Sequence, residues 1–219
     1  MTKKISYWLV AIFLMKPVNL VCAEVWTLER EVKGVQVYSS PVSGSAIKAI
    51  RGVTTVKSSL NRLVTLVADP ALRSHWDSFC GESYLYETVT ANEELVYLHI
   101  DLPWPVSDRD MLNRVVIHQN PDTLAITIKS AATQNILALK KGSVRMVVAS
   151  NDWTLMPLAN GFVEVTTTAH VDPAGPIPVW LLNTLSVESP FSALKSINEL
   201  VDNEVIVGKA YSSIREASR

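Results

Sequence analysis

The sequence predicts an α+β domain in which a curved antiparallel β-sheet wraps round a long C-terminal helix and encloses an apolar cavity. Three observations carry that expectation. From Gly81 to Val171 the apolar residues recur mainly at the two-residue period of strands, with turn residues between the runs. Helical spacing is confined to a short stretch after the first strands and to the C-terminal part. An antiparallel sheet has to cover its apolar face, and the C-terminal amphipathic helix is the available cover. A strongly bent sheet gripping one helix encloses space that side chains need not fill.

The elements follow in order. Trp26 to Lys33 is a short amphipathic lead-in. Val35–Ser39 alternates and stops before Pro41, and Ala46–Val56 is rich in Ile, Val and Thr, so both read as strands. Leu60, Leu63, Val64, Val67 and Ala68 then recur at helical spacing, with Ser58 and Ser59 as caps. Pro70 ends that helix and opens a second short one running to Trp76. The strands Ser83–Thr90, Leu95–Leu102, Asp110–Gln119, Thr123–Ala131, Ser143–Ser150, Trp153–Leu158 and Gly161–Val171 follow. Asn120-Pro121-Asp122, Lys141-Gly142 and Asn160-Gly161 are turn signals between them, and a meander of hairpins is the economical topology. Pro173, Gly175, Pro176 and Pro178 form a stiff approach to a helix that begins at Trp180, Leu181, Leu182 and Leu185. Pro190 kinks or restarts it, and Leu194, Ile197, Val201 and Val205 mark one apolar stripe. The lid is expected over residues 177–207.

The 219 residues suit one domain preceded by a targeting segment. Lys3 and Lys4 precede an apolar run from Ile5 to Met15, and Val21-Cys22-Ala23 offers small residues before Glu24. This is the layout of a secretory signal peptide over residues 1–23, and the run falls short of the roughly 20 residues a membrane-spanning helix needs. A single domain over 24–219 and an exported, periplasmic or extracellular location are therefore expected. Without the segment, 17 basic residues face 21 acidic ones, a balance that gives no electrostatic footprint for nucleic acid. One cysteine, Cys80, is left; it cannot form an internal disulfide and reads as a packed thiol.

Three segments resemble one family. Leu72-Arg73-Ser74-His75-Trp76-Asp77 is similar to the Arg-x-x-Trp-Asp element of START (StAR-related lipid-transfer) domains. Pro103-Trp104-Pro105-Val106-Ser107-Asp108-Arg109-Asp110 resembles the family's Pro-aromatic-Pro-x-Ser-x-Arg-Asp turn. Trp153 to Leu185, with Asp172-Pro173-x-Gly175-x-Ile177-Pro178-x-Trp180-Leu181-x-Asn183, resembles its last strands and lid. The resemblance covers about residues 30–207 and implies the helix-grip fold, one bound lipid or sterol-like ligand, and no metal or organic cofactor. A monomer that touches membranes transiently while exchanging ligand is expected.

One departure matters. The family pattern Arg-Asp-x-x-x-x-Arg places a second arginine on the face of the first, but here position 115 is Val and the arginine falls at 114. Strand side chains alternate, so Arg114 is expected on the opposite face. Arg109 then shares its face with Met111, Asn113, Val115 and Ile117, a mostly apolar wall. Further wall candidates are Val96, Leu98 and Ile100 on the preceding strand and Val163 and Val165 on the last. Trp180, Leu181, Leu185, Leu194 and Ile197 are the lid candidates, and Arg73 and Trp76 sit near the mouth. Arg73 is read as a ligand for a lipid headgroup or as the partner of Asp69 or Asp77. Asp108, Arg109 and Asp110 are read as stabilising the turn.

Hydrophobic-ligand carriage or sensing is the leading function. A helix-grip enzyme would need Glu164, His170 or His99 to face inward, yet the parity of Val163, Val165, Ala169 and Val171 sends Glu164 and His170 outward. His75, His99, His118 and His170 lack metal-ligand spacing, and nothing marks a catalytic residue. An envelope interaction module with a filled core is the third reading.

Overall fold

The computed structural model describes residues 25–133, 137–202 and 208–216. The expected segment at 1–23 and the stripe residue Val205 lie outside them.

Ten strands form a single curved, unclosed sheet: β1 (Thr27–Val32), β2 (Val35–Ser40), β3 (Ala49–Lys57), β4 (Cys80–Thr90), β5 (Glu93–Ile100), β6 (Asp108–Gln119), β7 (Ile126–Ala132), β8 (Ser143–Arg145), β9 (Ala149–Pro157) and β10 (Phe162–Val171). Their order is β1-β2-β3-β10-β9-β7-β6-β5-β4. The amphipathic lead-in is thus an edge strand. Its exposed side chains and irregular register with β2 between Leu28 and Arg30 suit an edge that must not recruit another chain. The opposite edge, β4, carries three such irregularities against β5.

The hairpin meander holds with one correction. The stretch expected as a strand over 143–150 is divided: β8 leaves the path and pairs parallel with the start of β6, and β9 begins at Ala149. The reason is an ion pair. Arg145 Nε reaches Asp110 Oδ1 at 2.6 Å and Nη2 reaches Oδ2 at 2.9 Å, which fixes β8 alongside β6. Asp110 is fully buried. Burial opposes its ionisation, but the Arg145 hydrogen bonds and charge prevail and hold the carboxyl below its ordinary range. Tyr97 donates to the same carboxylate at 3.3 Å; burial, reinforced by the Asp110 charge, pushes its phenol up to about 12.

Helix α1 (Leu60–Ala68) packs against one end of the sheet's concave face. Ser59 caps it, accepting from Arg62 N–H at 3.2 Å. A second cap comes from the far end of the chain, where Glu216 accepts from Leu60 and Asn61 N–H at 2.9 and 2.8 Å. A 3₁₀ segment, Pro70–His75, carries the chain to Trp76, whose indole N–H donates to Leu66 O at 2.7 Å.

The C-terminal helix is unbroken along the chain but divided in kind. Helix α2 (Val179–Asn183) runs into a π-helical turn over Thr184–Glu188 and then into α3 (Ser189–Leu200). Pro190 stands in the first turn of α3 and has no N–H to offer the carbonyl one turn back, so the widened turn falls just ahead of it. Helix α3 lies on β2 and β3. Gly52 permits this approach: a Cβ there would stand 2.6 Å from Leu194 Cδ1 and 3.2 Å from Thr167 Cγ2. Among the described residues, no helix is long and apolar enough to cross a membrane.

Candidate functional site

The inward rows of the sheet are continuous, but they are filled only at one end. Where α1 packs, Ile117, Ile126, Leu155, Val163 and Val165 join Leu60, Leu63 and Val64 in the solid core. Trp76 and Trp153 meet edge to face with ring centroids 5.6 Å apart, and both also line the space beyond. Past them the walls part around a cavity of about 240 Å³. Val96, Leu98, Ile100 and Leu102 of β5 and its continuation form one side. Met111, Asn113 and Val115 of β6 stand beside them, and Ala169 and Val171 of β10 lie opposite. The C-terminal helix contributes Leu185, Ser189, Pro190 and Ala193 as a roof.

Nine of the sixteen residues read from sequence meet on this wall: Arg73, Trp76, Val96, Leu98, Ile100, Met111, Asn113, Val115 and Leu185. Ile117, Val163 and Val165 face inward too, but the helices fill the space in front of them, and Leu194 and Ile197 of α3 pack onto the sheet; all five belong to the core. Leu181 is buried away from the cavity, and Trp180 is mostly exposed. Sequence reading passed over Asn151, Thr167, Ser130 and Met146, all on the wall. The strand parity that selected Val115 and Val165 selects Ser130, Asn151 and Thr167 as well; their polar side chains hid them.

The charged wall residues are already engaged. Arg109, 2% exposed, spends its guanidinium on main-chain carbonyls. Nε donates to Pro173 O at 2.9 Å, Nη2 to Ala174 O at 2.8 Å, and Nη1 to Ser107 O. It therefore ties the β5–β6 connection to the segment leading into the lid, consistent with the turn-stabilising reading. Burial draws its pKa down and Asp108 opposes this, yet a guanidinium remains charged. Arg73 pairs with Asp77, with Nε and Nη2 both 2.9 Å from Oδ2, and lies over the Trp76 ring at 5.0 Å. Arg114 points to the other face, as its register requires, and grips Glu93 at 2.7 and 3.0 Å. Glu164 is exposed, and His170 lies 3.1 Å from Ser45 Oγ.

His99 also faces away from the cavity. Its Nδ1 lies 3.0 Å from Asp101 Oδ1, and its Nε2 lies 3.1 Å from Ser143 Oγ and 3.8 Å from Asp108 Oδ2. The Nε2–Ser143 contact is a hydrogen bond and the two carboxylates lie near opposite nitrogens of the ring, so His99 is held among protein groups outside the cavity. Cys80 is free and half-buried, and burial pushes its thiol pKa up, away from nucleophilic thiolate character.

The mouth is apolar on its outer side. The connections at 101–107, 146–148 and 172–178 meet at one end of the sheet, held by Arg109 and by Asp172 N–H donating to Val148 O at 2.8 Å. They and the start of the lid expose Trp104 (91%), Val147, Val148 and Trp180.

Comparison with known proteins places this architecture. The START domain family model matches residues 18–203. An uncharacterised protein of Pseudomonas aeruginosa is 33% identical over 180 residues, 82% of this chain and 88% of that protein. A crystal structure of a STAR-related lipid transfer protein fragment from Xanthomonas axonopodis superposes with a TM-score of 0.73 at 34% identity, covering 80% of this chain and 98% of that one. Human StAR-related lipid transfer protein 5 shares the fold, with a TM-score of 0.73 at 19% identity over 83% of this chain and 88% of its own. With a gripped C-terminal helix, a cavity beneath it and this match over most of its length, the chain belongs to the START domain family.

Proposed function

We propose that this protein binds a lipid or other hydrophobic molecule in its cavity and carries or senses it in the cell envelope, as a monomer that meets membranes transiently. The observation that carries the reading is the cavity of about 240 Å³ walled mainly by apolar residues. Each methylene transferred there from water contributes about 0.8 kcal/mol, so an alkyl chain supplies its own affinity. The volume lies below the roughly 300–1,000 Å³ of pockets for drug-sized ligands. It suits a slender ligand, and a bulkier lipid requires the lid to lift. The π-turn at 184–188 and the proline-bracketed segment at 173–178 are the pivots for that motion.

The exposed Trp104, Val147, Val148 and Trp180 stand where the ligand would leave, so insertion of these side chains into a bilayer surface supports exchange without passage through water. The basic and apolar opening of the sequence supports export. A carrier is favoured over an enzyme because the titratable side chains on the described wall are Arg73, Asp77 and Arg109, each bound to another protein group.

Native mass spectrometry of the purified full chain tests the proposal. A co-purifying hydrophobic molecule, or uptake of one from liposomes, is the expected result. A protein that stays empty after both would instead be an interaction module.

A further inference from the structure

The cavity wall is not uniformly apolar. Asn113 on β6, Ser130 on β7, Asn151 on β9 and Thr167 on β10 all line it. The register explains how they join. Ser130 stands directly opposite both Val115 and Asn151, Asn113 lies two residues along β6 from Val115, and Thr167 lies two along β10 from Asn151's partner Ala169. Directly opposed residues have Cβ atoms about 5 Å apart and diagonal ones about 7–8 Å, so the four form an oblique polar line across four strands.

Their hydrogen bonds are unequally spent. Thr167 Oγ1 donates to Asn151 Oδ1 at 2.7 Å. Asn113 is 5% exposed, and its side-chain amide meets no hydrogen-bonding partner among the described residues. The amide lines the cavity, where water can serve it until a ligand displaces that water, and a ligand that then offers no hydrogen bond leaves it unsatisfied. Alongside, Val115 occupies the position where the family pattern would put an arginine, and Arg114 has left the cavity for Glu93. The two arginines that do line the wall are engaged by Asp77 and by main-chain carbonyls. The polar line is therefore neutral, with both donors and acceptors, and no free cation accompanies it on the described wall.

Taking the hydrophobic-ligand reading as its basis, we infer that Asn113 is a specificity-determining residue. It pairs with an uncharged hydrogen-bonding group of the ligand, an amide or ester carbonyl or a hydroxyl, set beside an alkyl chain. An anionic group at this depth would lose its hydration with no free cation to receive it. A plain hydrocarbon would leave the amide unpaired.

The test uses the full chain and phosphatidylcholine liposomes doped at pH 8 with equal amounts of hexadecanamide, hexadecanoate and hexadecane. Protein is recovered and its cargo quantified by mass spectrometry. Hexadecanamide should be enriched about 10-fold over each of the other two, equivalent to about 1.4 kcal/mol. In Asn113→Leu the amide-to-hexadecane ratio should fall towards one, and Asn113→Ala should lower it likewise should the leucine variant not fold. Equal recovery of amide and hexadecane, preference for the carboxylate, or an unchanged ratio in a folded variant overturns the assignment while leaving hydrophobic-ligand binding intact. Recovery of no hydrophobic molecule at all, phosphatidylcholine included, overturns both readings.

Discussion

Arg109 offers the sharpest probe of how the cavity is held shut. The replacement Arg109→Met keeps much of the side-chain volume and removes every donor. The carbonyls of Ser107, Pro173 and Ala174 then lose their partner in a site where Arg109 itself is 2% exposed. Hydrogen bonds from a charged donor contribute about 1.5–3 kcal/mol each, so three amount to roughly 4–9 kcal/mol gross. Against this stands relief of the guanidinium's own desolvation, worth several kcal/mol. The carbonyls also recover some water because they lie in loops near the mouth. A net destabilisation of about 3 kcal/mol is expected, read as a lower urea midpoint at unchanged slope. Because Pro173 and Ala174 lead into the lid, the same variant should exchange a fluorescent lipid between vesicles several-fold faster than wild type. A variant within about 0.5 kcal/mol of wild type, the usual range for inconsequential surface changes, would refute the strap.

Asp110→Asn removes the acid of the buried pair with Arg145 and should cost about 3 kcal/mol at pH 7 by chemical denaturation. Because the folded carboxyl is held below its ordinary value of about 3.9, its stabilisation is present above that pH and lost as pH falls through the folded pKa. The gap between variant and wild type should therefore narrow in acid below about pH 4, whereas a constant gap would point to packing alone. Gly52→Val forces side-chain atoms into Leu194 and Thr167 and should destabilise by about 1–3 kcal/mol, with faster ligand release as α3 is pushed from the sheet. Trp104→Ala alters a side chain that is 91% exposed, so the melting temperature should hold while binding to phosphatidylcholine vesicles weakens by sedimentation. Equal vesicle binding would remove Trp104 from the membrane contact.

The inward face of each strand was legible in the sequence because strand alternation is a local property of the backbone. Parity alone put Met111, Asn113 and Val115 on one wall and sent Arg114 and Glu164 outward, and the structure keeps that division. Prolines were equally legible, since a missing N–H acts wherever it stands: Pro70 opens its 3₁₀ turn and Pro190 follows the π-turn. Parity does not say what stands in front of a residue. Val163 and Val115 look alike in sequence, yet α1 fills the space before one and leaves the space before the other open. Two of Arg109's partners lie 64 and 65 residues away, and Glu216 caps a helix 155 residues behind it. Such pairings depend on how the whole sheet curls, as does the parallel seat of β8 on β6. Period and chain chemistry thus determined most of the strands, the start of the lid and the inward faces. Only the packing of α1 and α3 against the curved sheet decided which part of that face became solid core and which became the cavity.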